Sequence, residues 1–132
     1  MKHYALMAIA LILMSGIARA ADPIRLLCAG KLFEPRTDNP AVSLKAESLV
    51  LDLEGGLVSG GLGDFKVHGF SDSEVTFWHS EMKDGRVQAI WTGRLDRITG
   101  EVTVTRSVRE DGGKTRISTI YDLNCKPAKL LF

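Results

Sequence analysis

An all-β fold, a small antiparallel meander closed into a barrel or tight sandwich, is what this 132-residue chain predicts. Three observations carry the prediction. Beyond residue 20 the apolar positions recur with a period of two rather than 3.6, the pattern of strands with one buried face. Glycine-bearing turns punctuate that alternation at regular intervals. Two cysteines, Cys28 and Cys125, stand near its opposite ends.

The elements follow in order. Ile24 to Phe33 is a β-like run through Cys28. The polar segment 34–46 reads as a connection, with one helical turn started at Asn39-Pro40. Leu49, Leu51 and Leu53 then alternate with Val50 and Asp52. Gly55, Gly56, Gly60, Gly61 and Gly63 make a loop or a bulged, irregular hairpin. Phe65–Phe70, Glu74–Ser80, Arg86–Leu95, Glu101–Val108 and Arg116–Cys125 complete a reading of seven strands.

Turn chemistry sets the registers. A three-residue loop at Lys83-Asp84-Gly85 puts Phe77 opposite Trp91 and His79 opposite Ala89. A four-residue loop between Asp96 and Glu101 puts Leu95 opposite Val102 and Trp91 opposite Arg106. A two-residue Gly112-Gly113 turn pairs Asp111 with Lys114 and Val104 with Tyr121. One face then gathers Val75, Phe77, Trp91, Leu95, Val102, Val104, Val108, Ile117, Tyr121 and Leu123. The other carries Thr76, Thr92, Arg94, Thr103, Thr105, Ser107, Ser118, Asp122 and Asn124. A sheet wet on one side must roll up or stack. Cys28 and Cys125 share the parity of the apolar face, so a disulfide between them joins the first and last strands from the core side, favouring the barrel.

Residues 1–20 read as a secretory signal: Lys2 and His3, an uncharged apolar run from Ala5 to Met14, then Ala18-Arg19-Ala20 with small residues at −3 and −1 of a cleavage site. A retained anchor is the alternative, although the run is short for a bilayer. Residues 21–132 form a single domain. Export implies an oxidising compartment, hence the disulfide. The two cysteines lack CxxC spacing, and Leu27 stands where a lipoprotein signal has a small residue. No metal or cofactor is implied. Removing Lys2 and Arg19 takes the basic count from 17 to 15 against 16 acids, so nucleic acid is excluded as a main partner. The wet face of Thr, Ser, Arg and Asp excludes an outer-membrane barrel.

Candidate functional residues come from the exceptions to the pattern. Arg106 points inward between Val104 and Val108, across from Trp91 and Thr119. A buried guanidinium is costly unless paired. It therefore either receives a carboxylate or phosphate of a small ligand within walls of Trp91, Phe77 and Tyr121, or pairs with an acid of the chain or reaches the rim. His79 lies in the next row, as a pH-sensitive contact or as a hydrogen-bonded interior residue; His68 is solvated. On the wet face Trp78 and Ile90 oppose one another with Ile120 two strands away, either a partner surface or ground covered by the 34–46 connection or the Lys126-to-Phe132 tail. Asp52 and Glu54 are acids at a strand end. No GxSxG, HExxH or Walker-type loop occurs, and no catalytic residue is assigned.

The Leu95-Asp96-Arg97-Ile98-Thr99-Gly100 turn and the ending YDLNCKPAKLLF resemble small exported proteins of alphaproteobacteria, which share an early Cys, an LDRxTG turn and a late Cys before a short tail. The resemblance implies the compartment and no activity. A looser similarity, in size, cysteine placement and all-β pattern, is to periplasmic inhibitors of lysozyme and of secreted proteases. The expectation is a non-catalytic periplasmic or secreted binding protein that holds a small anionic or amphipathic ligand in the barrel. The alternative is a protein-binding module or enzyme inhibitor acting through its outer face and loops.

Overall fold

The computed structural model describes residues 22–128; the signal segment and cleavage site expected over residues 1–20 lie outside them. Eight strands run in sequence: β1 (Ile24–Phe33), β2 (Val42–Asp52), β3 (Leu57–Gly60), β4 (Phe65–Phe70), β5 (Glu74–Lys83), β6 (Arg86–Asp96), β7 (Glu101–Arg109) and β8 (Thr115–Pro127). Each pairs antiparallel with its neighbour, and β1 pairs with β8, so the meander closes into a barrel. Cys28 lies opposite Cys125 across that seam and is bonded to it. A disulfide of this kind indicates an oxidising compartment. Among the described residues no helix is long and apolar enough to cross a membrane.

The eighth strand corrects the expectation of seven. Segment 34–46 is a connection only as far as Ala41, and no described residue is helical, so the turn expected at Asn39-Pro40 is absent. From Val42 onward it is the upper half of β2, because Leu32, Lys31 and Gly30 of β1 supply a ladder for it. The glycine-rich stretch contributes β3, whose Val58 is 0 % exposed and pairs with both Leu51 and Phe65. One inward side chain that fills the core outweighs the weak strand propensity of the glycines around it.

Two hairpins reach the expected faces by other routes. Lys83 pairs with Arg86 about a two-residue turn in which Asp84 and Gly85 have φ of 52° and 72°, the pairing that a type I′ turn requires. That turn alone would oppose Phe77 and Thr92 and mix apolar with wet. A bulge between Glu81 and Met82 restores the parity, and the true partners are Phe77–Gly93, His79–Trp91 and Glu81–Ala89. The expected Phe77–Trp91 and His79–Ala89 pairs are therefore displaced by two residues, an error that conserves the face. Gly93 is the consequence: a Cβ there would run into the Phe77 ring, so only glycine lets that ring lie across the interior.

The β6–β7 register is as expected, with Leu95 opposite Val102 and Trp91 opposite Arg106. Val104–Tyr121 and Arg106–Thr119 also hold, but a bulge follows between Arg106 and Ser107. The turn is a three-residue loop with the Glu110 N–H donating to the Lys114 carbonyl, in place of the expected Asp111–Lys114 pair. Beyond the bulge β8 is flipped. Ile117 leaves the core and is 43 % exposed, while Ser118, expected on the wet face, bonds to Arg106.

The core fills the lower and middle barrel. Leu26, Leu49, Leu51, Phe65, Val75, Phe77, Leu95, Val102, Val104 and Leu123 pack around the disulfide. Each fully buried side chain of this size contributes about 1.5–3 kcal/mol by leaving water. The lower turns are knitted to one another. Asp96 accepts from the Thr99 and then the Ile98 N–H group, which lower its pKa. Arg97 donates to the Ser71 carbonyl, and the Cys125 N–H to the Gly100 carbonyl. The Leu95–Gly100 turn is thus a fastening of the barrel floor.

Candidate functional site

β3 and β4 are short, and their brevity opens the upper barrel. The last β2–β3 pair is Leu49–Gly60, so Val42 to Glu47 of β2 have no ladder partner on that side. The last β4–β5 pair toward the top is Lys66–Trp78, leaving His79 to Lys83 of β5 equally unpartnered. Between these two strand edges the wall has a notch, floored by the 61–64 loop. The inward groups that show at the notch are the polar exceptions of the sequence.

Arg106 and Glu81 form its centre. Glu81 comes to Arg106 from two strands away because the β5 bulge sets it opposite Ala89, one rung above the His79–Trp91–Arg106 row. The guanidinium meets the carboxylate edge-on: Nη2 donates to Oε2 at 2.6 Å and Nε to Oε1 at 3.3 Å. Trp91 Nε1–H donates to the same Oε1 at 2.9 Å. Arg106 Nη1 donates to the Ser118 hydroxyl at 3.2 Å. These bonds from Arg106, then the one from Trp91, hold the Glu81 carboxyl below the usual carboxylate range. The pair is not sealed, since its side chains are 26 % and 34 % exposed.

Aromatic rings support this cluster. The Arg106 guanidinium lies 5.8 Å from the Trp91 ring centroid, a cation–π arrangement. Trp91 in turn lies 5.9 Å from Tyr121. Partial burial pushes the Tyr121 phenol pKa up.

Of the five residues expected to line a ligand site, Arg106, Trp91 and Tyr121 are together. His79 is in the same row as Trp91, exposed at the notch and edge-on to Phe65 at 6.4 Å. Phe77 is apart from them: it is 1 % exposed, a floor beneath the site. Of the two roles open to Arg106, pairing with an acid of the chain is what it does. Glu81 was missed because the strand reads as ending at Ser80 and a three-residue 83–85 loop would set Glu81 opposite Val87, two inward rungs above the Trp91–Arg106 row, whereas it lies one rung above, opposite Ala89. The Asp84-Gly85 dipeptide was the available signal, being the strongest two-residue turn pair.

The outer face has its own exceptions. Trp78 and Ile90, 36 % and 41 % exposed, are diagonal neighbours and not the direct pair expected, since Trp78 opposes Thr92 and Ile90 opposes Ser80. Ile120 is half-buried opposite Thr105 and Phe33, and Ile117 takes its place in the exposed group. A shallow hollow of about 560 Å³ lies between His68, Trp78, Ile90 and Thr92, and Lys66 Nζ covers the Trp78 ring at 5.9 Å. At the floor of the barrel an apolar hollow of about 430 Å³ is lined by Ile24, Leu26, Leu51, Leu95, Ile98 and Pro127. The charged Asp96 and Arg97 beside it are engaged within the turns. Among the described residues no group of His, Cys, Asp and Glu is placed to hold a metal.

Comparison with protein-family models, with curated proteins and with solved structures gave no match. The fold and the site therefore define this protein only as a small disulfide-closed β-barrel with a notched, polar mouth.

Proposed function

We propose that this is a non-catalytic binding protein of the periplasm or secreted fraction, and that it receives a small anionic or amphipathic ligand at the notched mouth. One observation carries the reading: an edge of the Arg106 guanidinium and the Trp91 indole N–H converge on a single carboxylate, that of the part-exposed Glu81, beside aromatic walls. A fork of parallel N–H donors is the recognition geometry for a carboxylate. The apolar part of a ligand would lie against Trp91 and Tyr121, and the notch supplies the way in. Export agrees with the disulfide and with the signal-like residues 1–20.

The test is native mass spectrometry of the protein released gently from its compartment. The expected result is excess mass that leaves on denaturation and is missing from Arg106→Ala. A wild-type chain that sprays bare, or an Arg106→Ala chain that keeps the mass, overturns the reading.

A second reading, a protein-binding module or inhibitor, is favoured by the exposed Trp78 on β5, Ile90 on β6 and Ile117 on β8, the last reached across Ser107 of β7. It expects Trp78→Ala to lose a binding partner while its melting temperature stays near that of the wild type. A fall of several degrees would make Trp78 structural.

A further inference from the structure

The carboxylate seat of the mouth is filled by the chain itself. We infer that Glu81 is a built-in competitor for the ligand: it occupies the Arg106–Trp91 donor set in the absence of ligand and must swing out for a carboxylate to enter. The inference rests on the binding reading above and names both its ligand class, a carboxylate on an apolar stem, and its regulation.

Donor arithmetic makes the two occupants compete for one seat. A guanidinium has five N–H groups in a fixed fork. The edge formed by Nε and Nη2 is taken by Glu81, and Nη1 is turned toward Ser118. The one indole N–H of Trp91 is also spent on Glu81 Oε1. A second carboxylate thus finds the Nε–Nη2 edge and the indole N–H taken while Glu81 is seated, with only one N–H each of Nη1 and Nη2 left over, and a second anion beside Glu81 would be repelled.

Local structure lets Glu81 leave. Above Trp78, β5 has no ladder on its β4 side, and its ladder to β6 is interrupted by the bulge between Glu81 and Met82. Segments held on one side only, with exposed backbone bonds, open at low free-energy cost. The Glu81 side chain is 34 % exposed at the notch, so water can take over its solvation as it turns away. Apparent ligand affinity is then the intrinsic affinity multiplied by the fraction of molecules with the seat vacant.

Octanoate is the probe, with 1-octanol as the uncharged control, and the Trp91 indole N–H resonance is the readout. Glu81→Gln keeps the shape of the side chain and removes its charge; Glu81→Ala serves if that variant is unstable. The expected result is octanoate binding at least ten-fold tighter to Glu81→Gln than to wild type. Octanol should show no such difference, and binding should be lost in the Glu81→Gln/Arg106→Ala double variant. Equal octanoate affinity for wild type and Glu81→Gln, with dependence on Arg106 intact, overturns the competitor and leaves the binding site standing. No octanoate-induced indole shift in any variant at millimolar concentration overturns the inference; if the exported protein also sprays bare, the binding reading falls with it.

Discussion

The lower and upper parts of this barrel are built from the same strands under different rules. Below Gly60 and Phe65 all eight strands take part in the closed wall, the interior is aliphatic and aromatic, and a disulfide ties the first strand to the last. Above that level β3 and β4 are missing from the wall, two edges are open, and the inward positions pass from Val75 and Phe77 to His79 and Glu81, and from Val102 and Val104 to Arg106. The difference teaches what a small barrel tolerates. A charge pair inside a sealed core carries a desolvation cost of several kcal/mol per ion; at a notch, water bears part of it. Polar chemistry sits where the wall is incomplete because only there is it cheap to keep.

This contrast is open to breaking by experiment, beginning with the largest effect. Replacing Cys28 and Cys125 together by Ala releases a crosslink spanning 97 residues in sequence, with an expected loss of about 4–5 kcal/mol on the chain-entropy account. Urea unfolding under non-reducing conditions measures it, and a loss below about 1 kcal/mol would remove the seam from the explanation of the lower half.

Phe77 tests the packing of the same half. Phe77→Ala is expected to cost about 3–4 kcal/mol, and Gly93→Ala about 1–3 kcal/mol by overpacking against the ring. Combining Gly93→Ala with Phe77→Leu should recover part of the Gly93→Ala loss, because the two side chains share one space. Strict additivity in the double-mutant cycle would show that they do not touch.

In the upper half the expected effect is smaller. Arg106→Met breaks the ion pair, yet Glu81 can rehydrate through the notch, so the loss should be about 1 kcal/mol, the scale of exposed pairs. A loss of about 3–5 kcal/mol, the scale of a buried pair deprived of one partner, would show the mouth to be sealed and would erase the comparison.

The pH response is smallest. Hydrogen bonds from Arg106 and Trp91 lower the Glu81 pKa in the folded protein. Its stabilisation is therefore complete above the unfolded carboxylate pKa and is lost as pH falls through the lower folded value. Thermal melts from neutral pH into the acid range should converge for wild type and Arg106→Met at the acid end. A constant gap between them across that range would show that Glu81 does not titrate against Arg106.

Period-two alternation, turn glycines and cysteine parity were enough to reveal an all-β meander closed by Cys28–Cys125, because each is a local property repeated along the chain. The same alternation placed Arg106 inside, opposite Trp91, through the one hairpin whose turn was read correctly. Glu81 was not legible, since its position depends on a bulge that compensates an Asp84-Gly85 turn, and bulges answer to the packing of both faces at once. Nor was the notch, which exists because β3 and β4 end early while β2 and β5 continue, a relation between four strands. The faces that Arg106, Trp91 and Tyr121 occupy follow from sequence periodicity. Which of them meet, and whether water reaches them, was decided by register and strand length in the closed barrel, where every pairing constrains the next.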